Sequence, residues 1–479
     1  MTGKQAARVA SAVLAMSAVF GVTSAVKATP AAASGSHTAT TGCSAGGSRA
    51  RTRQGKWLGI VRPVSRGSST PCTSSATGAA TGPASYYRAK YRGTPPLLNH
   101  AGPVMGTPGS PGSVTVTPIY WDPSGALASS YKNVINGFIA NAASDSGKPT
   151  NVFAVDLQYG IGYSMRAGTP IVDTDAFPAD GCTPDSGAIY SNSTGYTTCL
   201  TDAQIQAEVE AATAARSLPS DLSHLYIVFL PQGVESCFTS SDGAQGGGCT
   251  INYSDPQLGF CGYHSSVSYD NPSSASPPIY ADMPFPIYNS PIGWTCSPQY
   301  GPGNQSPNGQ LDADIELDTV SHEMNEAITD PQGTAWYDSS GNEIGDDCSY
   351  VYGDGFGGSP GALYNQTING AHYLIQEEFS NADFATKPAK ACIQQEELPT
   401  IKFKAKDKRL TTPATFNAKA KDSDGAIVSY AWNFGDGSPS GSGMGVTHSY
   451  AAAGTYTVTL VVTDNQGWRN SVSQLLTVP

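Results

Sequence analysis

The stretch 321–331, "SHEMNEAITDP", carries three residues whose spacing suits metal chemistry. Positions i and i+4 share one face of a helix, so His322 and Glu326 could hold one ion together. Zinc accepts carboxylate oxygen as well as imidazole nitrogen. Glu323 is rotated from His322 by about 100° around the helix, which puts it beside such an ion, where a general base activates water. The pattern predicts a hydrolytic zinc centre with Glu323 as its base.

A carboxylate in place of a second imidazole changes the expected pH range of such a centre. Glu326 removes a neutral ligand and adds negative charge, so the attacking water would be harder to deprotonate. The carboxylate also resists displacement by protons, because its reference pKa is lower than that of imidazole. We therefore expect activity at acidic pH.

A catalytic zinc usually needs a third protein ligand, and the sequence offers several. Glu343, Asp346 and Asp347 lie in the acidic turn "EIGDDC", and His264 lies upstream in "FCGYHSS". Asp346 is preferred, while Glu343 and His264 stay open. Tyr337 in "AWYD" is a further candidate, because its hydroxyl could stabilise an oxyanion.

The same residues also have simpler interpretations. Glu323 and Glu326 could form a solvated helix face, and His322 and His264 could be structural. The carboxylates of "EIGDD" could bind calcium, for which oxygen ligands are the rule. An aromatic residue such as Tyr337 after a helix is more often a packing residue.

A helix is predicted to position the motif. In "LDADIELDTVSHEMNEAIT" (311–329), Leu317, Val320, Met324 and Ile328 recur at helical spacing and should face the core. Pro331 ends the helix, because proline removes a backbone donor and clashes with the preceding turn.

Strands alternate with helices before that point, which favours an α/β domain. Strands are predicted at 113–121, 151–159 and 224–231, and a helix at about 128–144. Thr201 with Gln204 fits a capping box at the start of a second helix. From about 232 to 310 the chain is dense in Gly, Pro, Ser, Tyr and Cys, and it is expected to form long loops of the kind that often bind substrate.

The N-terminus predicts export. Lys4 and Arg8 precede an apolar run and then small residues, so residues 1–28 are predicted to be a secretory signal peptide. No later stretch is apolar enough to span a membrane. Residues 29–95 are rich in Ser, Thr, Gly and Ala, and we expect a pro-segment or a disordered spacer.

Composition supports a secreted protein and excludes one class of partner. Ten cysteines without a CxxC pair favour disulfides over a structural zinc ribbon. Only 13% of the residues are charged and the formal net charge is -12, so no basic surface for nucleic acid is expected. The pairings we expect are Cys182 with Cys199, Cys237 with Cys249, and Cys348 with Cys392.

Residues 398–479 resemble a PKD domain. Short alternating strands predict a small antiparallel sandwich, and the resemblance lies in "WNFGDG" (432–437) and "HSYAAAGTYTVTLVVTDNQG" (448–467). PKD modules are typically non-catalytic spacers or binding domains on exported enzymes. The resemblance implies that Asp436 is structural and that the module binds a protein or polysaccharide surface.

Residues 96–394 resemble, in patches, the EXORDIUM or phosphate-induced protein family. The resemblance lies in "TPIYW", "CGYHSS" and "SHEMNEAITDP…AWYDSSGNEIGDDC". It implies a zincin-like catalytic domain with a mixed sheet and an active-site helix, and it marks His264, His322, Glu323, Glu326 and Asp346. Zincin proteases are often exported with a pro-segment and a C-terminal PKD module.

The sequence therefore predicts a secreted zinc endopeptidase that acts on protein or peptide substrates. His322, Glu326 and Asp346 would hold Zn²⁺, Glu323 would be the base, and calcium could be a structural ion. The first alternative is a non-catalytic extracellular or cell-wall-associated binding protein on a zincin scaffold. The second is a glycosidase with paired carboxylates, which would leave His322 unexplained.

Overall fold

A mixed sheet of seven strands lies at the centre of the part of the chain that precedes the PKD-like module. The structure is a computed structural model. It describes residues 59–61, 64–65, 95–106, 113–179, 181–190, 192–237, 248–250, 259–267, 277–287, 294–296, 305–353, 356–406, 410 and 412–479. The predicted signal peptide lies outside these residues.

The strands of this part are short. They are β1 (Gly59–Val61), β2 (Val64–Ser65), β3 (Leu98–Asn99), β4 (Val114–Trp121), β5 (Met165–Ala167), β6 (Ile171–Asp173), β7 (Thr198–Thr201), β8 (His224–Phe229), β9 (Val234–Cys237), β10 (Gly262–Ser266), β11 (Ile279–Met283), β12 (Trp294–Thr295), β13 (Trp336–Tyr337), β14 (Gln366–Ile368), β15 (Ala371–Tyr373), β16 (Glu378–Phe379) and β17 (Cys392–Ile393). The helices are α1 (Ser129–Ser144), α2 (Asp202–Ala215), α3 (Leu311–Thr329) and α4 (Asn381–Thr386).

The central sheet has the order β1-β10-β11-β8-β4-β5, with β6 also paired to β4. The strands β11, β8, β4, β5 and β6 are parallel, whereas β10 is antiparallel to both β1 and β11. The expected mixed sheet is therefore present. A zincin catalytic fold stays a proposal.

Both faces of the sheet are covered, as the buried pattern of β8 requires. Leu225, Ile227 and Phe229 pack in one apolar cluster with residues of α1 and α3. Tyr226 and Val228 point the other way, into a second cluster with residues of α2. Alternate side chains of one strand thus fill two cores.

The helix α3 carries the motif and is enclosed along its length. Every residue from Ala313 to Thr329 is buried. The side chain of Gln310 caps the helix by accepting from the N–H of Ala313 at 2.6 Å, and Asp312 and Asp314 suit the positive N-terminal end. The predicted helix 311–329 is confirmed, and its four apolar positions face the core.

Other local predictions have mixed outcomes. The strands at 113–121 and 224–231, the helix at 128–144 and the capping box of Thr201 and Gln204 are confirmed. The strand at 151–159 was wrong, because this stretch forms a 3-10 helix, Val152–Tyr159. Asn151 starts this helix by accepting from the N–H of Phe153 at 3.1 Å, and Gly160 ends it in the left-handed region.

The prediction of long loops from 232 to 310 was partly wrong. The strands β9, β10, β11 and β12 lie in this range. They have five residues or fewer, and each of them has a partner strand more than 30 residues away in the sequence. Local periodicity therefore gave them little signal.

Disulfides tie the described loops together. The expected pairs Cys182–Cys199, Cys237–Cys249 and Cys348–Cys392 are confirmed, and Cys261–Cys296 adds a fourth. The Cys348–Cys392 bridge spans 44 residues, a loop whose closure is worth roughly 4 kcal/mol in the chain-entropy model. The bridges are consistent with an extracellular location.

The C-terminal module is a β-sandwich, as predicted. One sheet has the strands β18 (Thr400–Lys406), β19 (Ala414–Lys421) and β22 (Gly445–His448); the other has β20 (Ile427–Asn433), β21 (Gly441–Ser442), β23 (Gly454–Asp464) and β24 (Arg469–Val478). Trp432 is buried between Phe403 and Phe416. Asp436 accepts hydrogen bonds from Ser438 and pairs with His448 at 2.7 Å.

Several buried carboxylates lie where the sandwich meets the preceding residues. The indole N–H of Trp468 donates to the carbonyl of Ala154 at 3.3 Å. Nearby, Glu396 is buried with neither carboxylate oxygen hydrogen-bonded. Burial, and then the neighbouring aspartates, raise its pKa to about 9. We refer to Glu396, Asp422 and Asp464 as the junction carboxylates.

Across the described residues, none of the helices combines the length and the apolar character needed to cross a membrane.

Candidate metal centre

Two elements bring the candidate residues together. The helix α3 supplies His322, Glu323 and Glu326, and β10, which packs on α3, supplies His264. Gly262 allows this close approach, since a Cβ there would lie 2.6 Å from Cγ2 of Thr319. All four side chains are at most 3% exposed. The interpretation of Glu323 and Glu326 as a solvated face is therefore wrong.

The ring of His322 is held by Gln376. Nε2 of Gln376 donates to the carbonyl of Gly345 at 2.9 Å, so its Oε1 is the atom that lies 3.1 Å from Nδ1 of His322. Nδ1 of His322 is consequently the donor of this pair. The neutral ring then keeps its lone pair on Nε2, the tautomer that a metal-binding histidine needs.

Gly345, in the acidic turn, packs against the same ring. A Cβ at this position would lie 2.8 Å from Cγ and Nδ1 of His322. Side chains essentially never approach so closely without a shift of their neighbours. The glycine of "EIGDD" therefore has a physical role: it lets the turn pass over the imidazole.

The lone pair of His322 faces carboxylates. Nε2 lies 2.9 Å from Oε1 of Glu326 and 4.0 Å from Oδ1 of Asp346. Burial alone would lower the pKa of His322, but the charge of Glu326 raises it well above its usual value. Burial and the neighbouring Glu326 raise the pKa of Asp346 to about 8. His322, Glu326 and Asp346 therefore form a site that favours a cation between their side chains.

Glu326 is oriented by the backbone of the acidic turn. Oε1 accepts from the N–H of Asp346 at 3.0 Å, whereas Oε2 has no hydrogen-bond partner in the structure. Burial would raise the pKa of Glu326, but the charge of His322 holds it below its ordinary value. The side chain is therefore presented as a carboxylate.

His264 lies on the other side of Glu326. Its Nε2 is 3.2 Å from the carbonyl oxygen of Asp330 and 3.5 Å from Oε2 of Glu343. Its Nδ1 is 3.0 Å from Oε2 of Glu323 and 3.6 Å from Oε2 of Glu326. Oε1 of Glu323 is buried with no hydrogen-bond partner. His264 and Glu343 thus belong to the cluster.

Tyr337 is placed differently. Its ring stacks on His100 with 3.5 Å between the centroids and 2° between the planes, and β13 pairs with β3. This stacking matches the packing interpretation. Its role as an oxyanion donor stays a prediction.

The donor set fits a divalent transition metal. One ligand atom each of His322, Glu326 and Asp346 lies within 4.8 Å of the other two, and the same is true of His264, Glu323 and Glu326. Imidazole nitrogen with carboxylate oxygen suits zinc. The unpartnered Nε2 of His322 and Oε2 of Glu326 are orphaned buried atoms that such an ion would satisfy.

Two residues that support the site were not predicted from the sequence. Gln376 lies 54 residues after His322, in a stretch without a motif. Gly345 lies in "EIGDD", a stretch for which only the carboxylates were predicted to have a role. A glycine within an acidic turn beside a predicted site is the signal that could have found it.

The strand β1 covers this cluster from the other edge of β10. Gly59 is paired with His264 across the ladder, and β1 also lies against α3 and the 3-10 helix Asp346–Cys348. These residues belong to the segment 29–95, which the sequence predicts to be a pro-segment or spacer.

Two family models match parts of the chain. Residues 250–379 match the phosphate-induced protein 1 conserved region. This region contains His264, all of α3, the acidic turn and Gln376, so the whole cluster lies within it. Residues 396–478 match the PKD domain. Both resemblances seen in the sequence are thereby confirmed, and the zincin part of the first is not tested by them.

The relatives of this chain also fall into two groups, EXORDIUM-like proteins and proteins with a PKD domain. Protein EXORDIUM-like 3 of Arabidopsis thaliana is 26% identical over 326 residues, which are 62% of this chain and 86% of that protein. Pre-pro-metalloprotease PrtV of Vibrio cholerae is 40% identical over 80 residues, which are 17% of this chain and 8% of that protein. A crystal structure of the PKD1 domain of Vibrio anguillarum Epp is 37% identical, covers 18% of this chain and 96% of that one, and has a TM-score of 0.17.

Proposed function

We propose that the protein is a secreted zinc-dependent endopeptidase of the HExxE type, with a zincin-like catalytic domain. His322, Glu326 and Asp346 would hold the zinc. The observation that carries this proposal is the triad itself, in which Nε2 of the fully buried His322 faces oxygen atoms of Glu326 and the half-buried Asp346.

Zinc, when bound, would polarise the peptide carbonyl and make water a better nucleophile near neutral pH. Glu323 would accept the proton of the attacking water through Oε1, the oxygen without a partner. His264 would hold the other oxygen of Glu323 in place. Gln376 would keep the ring of His322 in the tautomer that binds the ion.

The PKD domain would serve as a tether to a protein or polysaccharide surface. The match to PrtV, a pre-pro-metalloprotease, lies within an 80-residue segment, and PrtV is described as carrying a PKD1 domain. This supports the tethering role and says nothing of the reaction. Calcium remains a candidate structural ion, since hard oxygen donors suit it.

The test is casein hydrolysis by the purified mature protein at pH 4 and pH 7, with Glu323→Gln beside the wild type. We expect a loss of roughly 10²–10⁴-fold, as for removal of a general base, while the zinc held by His322, Glu326 and Asp346 is retained. Glu316→Gln is the matched control, because Glu316 is a buried carboxyl on the same helix. Equal hydrolysis by Glu323→Gln and the wild type would refute the catalytic role.

The second candidate is a non-catalytic extracellular binding protein on the same scaffold. The burial of His322, Glu323 and Glu326 supports it, because an active centre must admit its substrate. Zinc bound in stoichiometric amount without hydrolysis by the mature protein would favour this candidate.

A further inference from the structure

We propose that a second divalent transition-metal ion is held on the opposite side of Glu326, by Nδ1 of His264, Oε2 of Glu326 and Oε2 of Glu323. This inference rests on the proposed zinc position at His322, and it makes Glu326 a carboxylate that bridges two ions.

The two oxygens of Glu326 face two different histidines. Oε1 lies 2.9 Å from Nε2 of His322, and Oε2 lies 3.6 Å from Nδ1 of His264. A carboxylate that binds a single ion needs an imidazole beside only one of its oxygens. Here each of the two oxygens of Glu326 has an imidazole nitrogen beside it.

The ring of His264 is oriented for binding on that side. Its Nε2 lies next to the carbonyl oxygen of Asp330 and Oε2 of Glu343, and it donates on that side. Its Nδ1 points at Oε2 of Glu323 and Oε2 of Glu326. A metal ion on this side would take the place of the proton that Nδ1 otherwise shares with Glu323.

Burial supports a ligand at this place. Glu323 and Glu326 are fully buried, and Oε2 of Glu326 has no hydrogen-bond partner. Glu323, Glu326, Asp346 and the neighbouring buried Glu343 carry four negative charges when all are ionised, twice what a single divalent ion neutralises. Uncompensated buried charge is costly, and a second ion would compensate it.

One ion shared by both histidines fits the geometry less well. Ligand atoms of one tetrahedral zinc lie about 3.3 Å apart, given bonds of about 2.0–2.1 Å. The two groups of potential ligands, each within 4.8 Å, overlap only at Glu326 and never contain both histidines. The chemical class of both ions follows from the mixture of imidazole and carboxylate, which suits zinc and similar metals.

The test counts zinc. The full chain is stripped with a chelator, dialysed against zinc, desalted and analysed for metal per chain by mass spectrometry. The wild type is compared with His264→Gln and His322→Gln. His372→Gln is the control for exposed histidines, because its ring stacks on Tyr364 outside the cluster.

We expect two ions in the wild type and in the control, and one in each of the two cluster variants. One ion in the wild type that persists in His264→Gln and is lost in His322→Gln would overturn the second position and leave the proposed zinc centre intact. One ion that is lost in both variants would mean a single shared ion and also overturn the inference. No zinc in the wild type would overturn both proposals.

A second measurement needs no variant, in case a substitution prevents folding. Two cobalt ions bridged by one carboxylate couple magnetically. Cobalt-loaded wild type should therefore show a coupled electron paramagnetic resonance signal. The signal of isolated cobalt at full loading would overturn the bridge.

Discussion

At the scale of single residues, the metal-binding role of His322 depends on neighbours that bind nothing themselves. Gln376 sets the tautomer and Gly345 leaves room for the ring. Burial would lower the pKa of His322, but the charge of Glu326 outweighs it and raises the pKa well above its usual value. Without a metal, a proton would occupy the position that we assign to zinc.

Replacing Gln376 tests the tautomer. Gln376→Leu removes the acceptor of the Nδ1 hydrogen bond, so we expect zinc affinity to fall by roughly 10–100-fold, as for other outer-shell partners of ligating histidines. Competition with a chromophoric chelator measures the affinity. Gln366→Leu is the matched control, because Gln366 is equally buried but donates to Gln394. A parallel loss of affinity in both variants would contradict the assigned role.

Gly345→Ala tests the contact with the imidazole. A Cβ 2.8 Å from the ring must displace either His322 or the acidic turn, so we expect weaker zinc binding and a lower Tm. Gly137→Ala is the control: this glycine lies within α1 with no atom within 4 Å of an added Cβ. That change should be neutral or stabilise by about 1 kcal/mol. Unchanged zinc affinity in Gly345→Ala would show that the close contact does not matter.

At the scale of elements, the edge of β10 is covered by β1, so the strand that carries His264 is paired on both sides. Ile60 is paired with Tyr263, and proline at position 60, in the middle of a three-residue strand, would disrupt this ladder. In Ile60→Pro we expect the amides of Gly262–Ser266 to exchange with solvent roughly tenfold faster or more, as in local opening.

Hydrogen exchange followed by mass spectrometry measures this, with the peptides of β23 as an internal reference. Equal exchange of β10 in the variant and the wild type would show that β1 does not protect the cluster.

Sequence patterns predicted some of these elements and could not predict others. The helix α3 and the capping box of Thr201 follow from local rules, so both were within reach. The strands β10 and β11 are short, and their partners come from residues 59–61 and 224–229. Their pairing is a property of the fold, as is the contact of Gln376 with His322.

The same limit applies to the candidate centre. His322, Glu323 and Glu326 were found from their helical spacing, and His264 and Asp346 from the motifs around them. The burial of Glu323 could not be predicted, because glutamate side chains are usually exposed and the cover comes from distant segments. The position of Glu326 between His322 and His264 could not be predicted either, because it depends on how β10 packs against α3.

At the scale of the whole molecule, the junction carboxylates couple the sandwich to the preceding domain. Burial, reinforced by neighbouring aspartates, raises the pKa of Glu396 to about 9, of Asp422 to about 7 and of Asp464 to about 6. A carboxyl whose pKa is raised by folding favours the folded state when it is protonated. Its contribution is present at low pH and is lost as the pH rises through the folded pKa.

We therefore expect the metal-free protein to be more stable at pH 5 than at pH 8, with a Tm several degrees higher, the shift that about 1–2 kcal/mol produces in a domain of this size. Differential scanning calorimetry in the presence of a chelator measures it. Glu396→Gln should reduce the difference, because the amide does not ionise. A Tm that rises from pH 5 to pH 8 would contradict the assignment of these groups.

The central claim is that α3 and the acidic turn form a zinc centre. Anomalous diffraction at the zinc edge from crystals of the zinc-loaded protein tests it most directly. We predict a peak at bonding distance, about 2.0–2.2 Å, from Nε2 of His322 and Oε1 of Glu326, with Asp346 as the third ligand. A zinc-loaded crystal with no peak at these atoms would contradict the account.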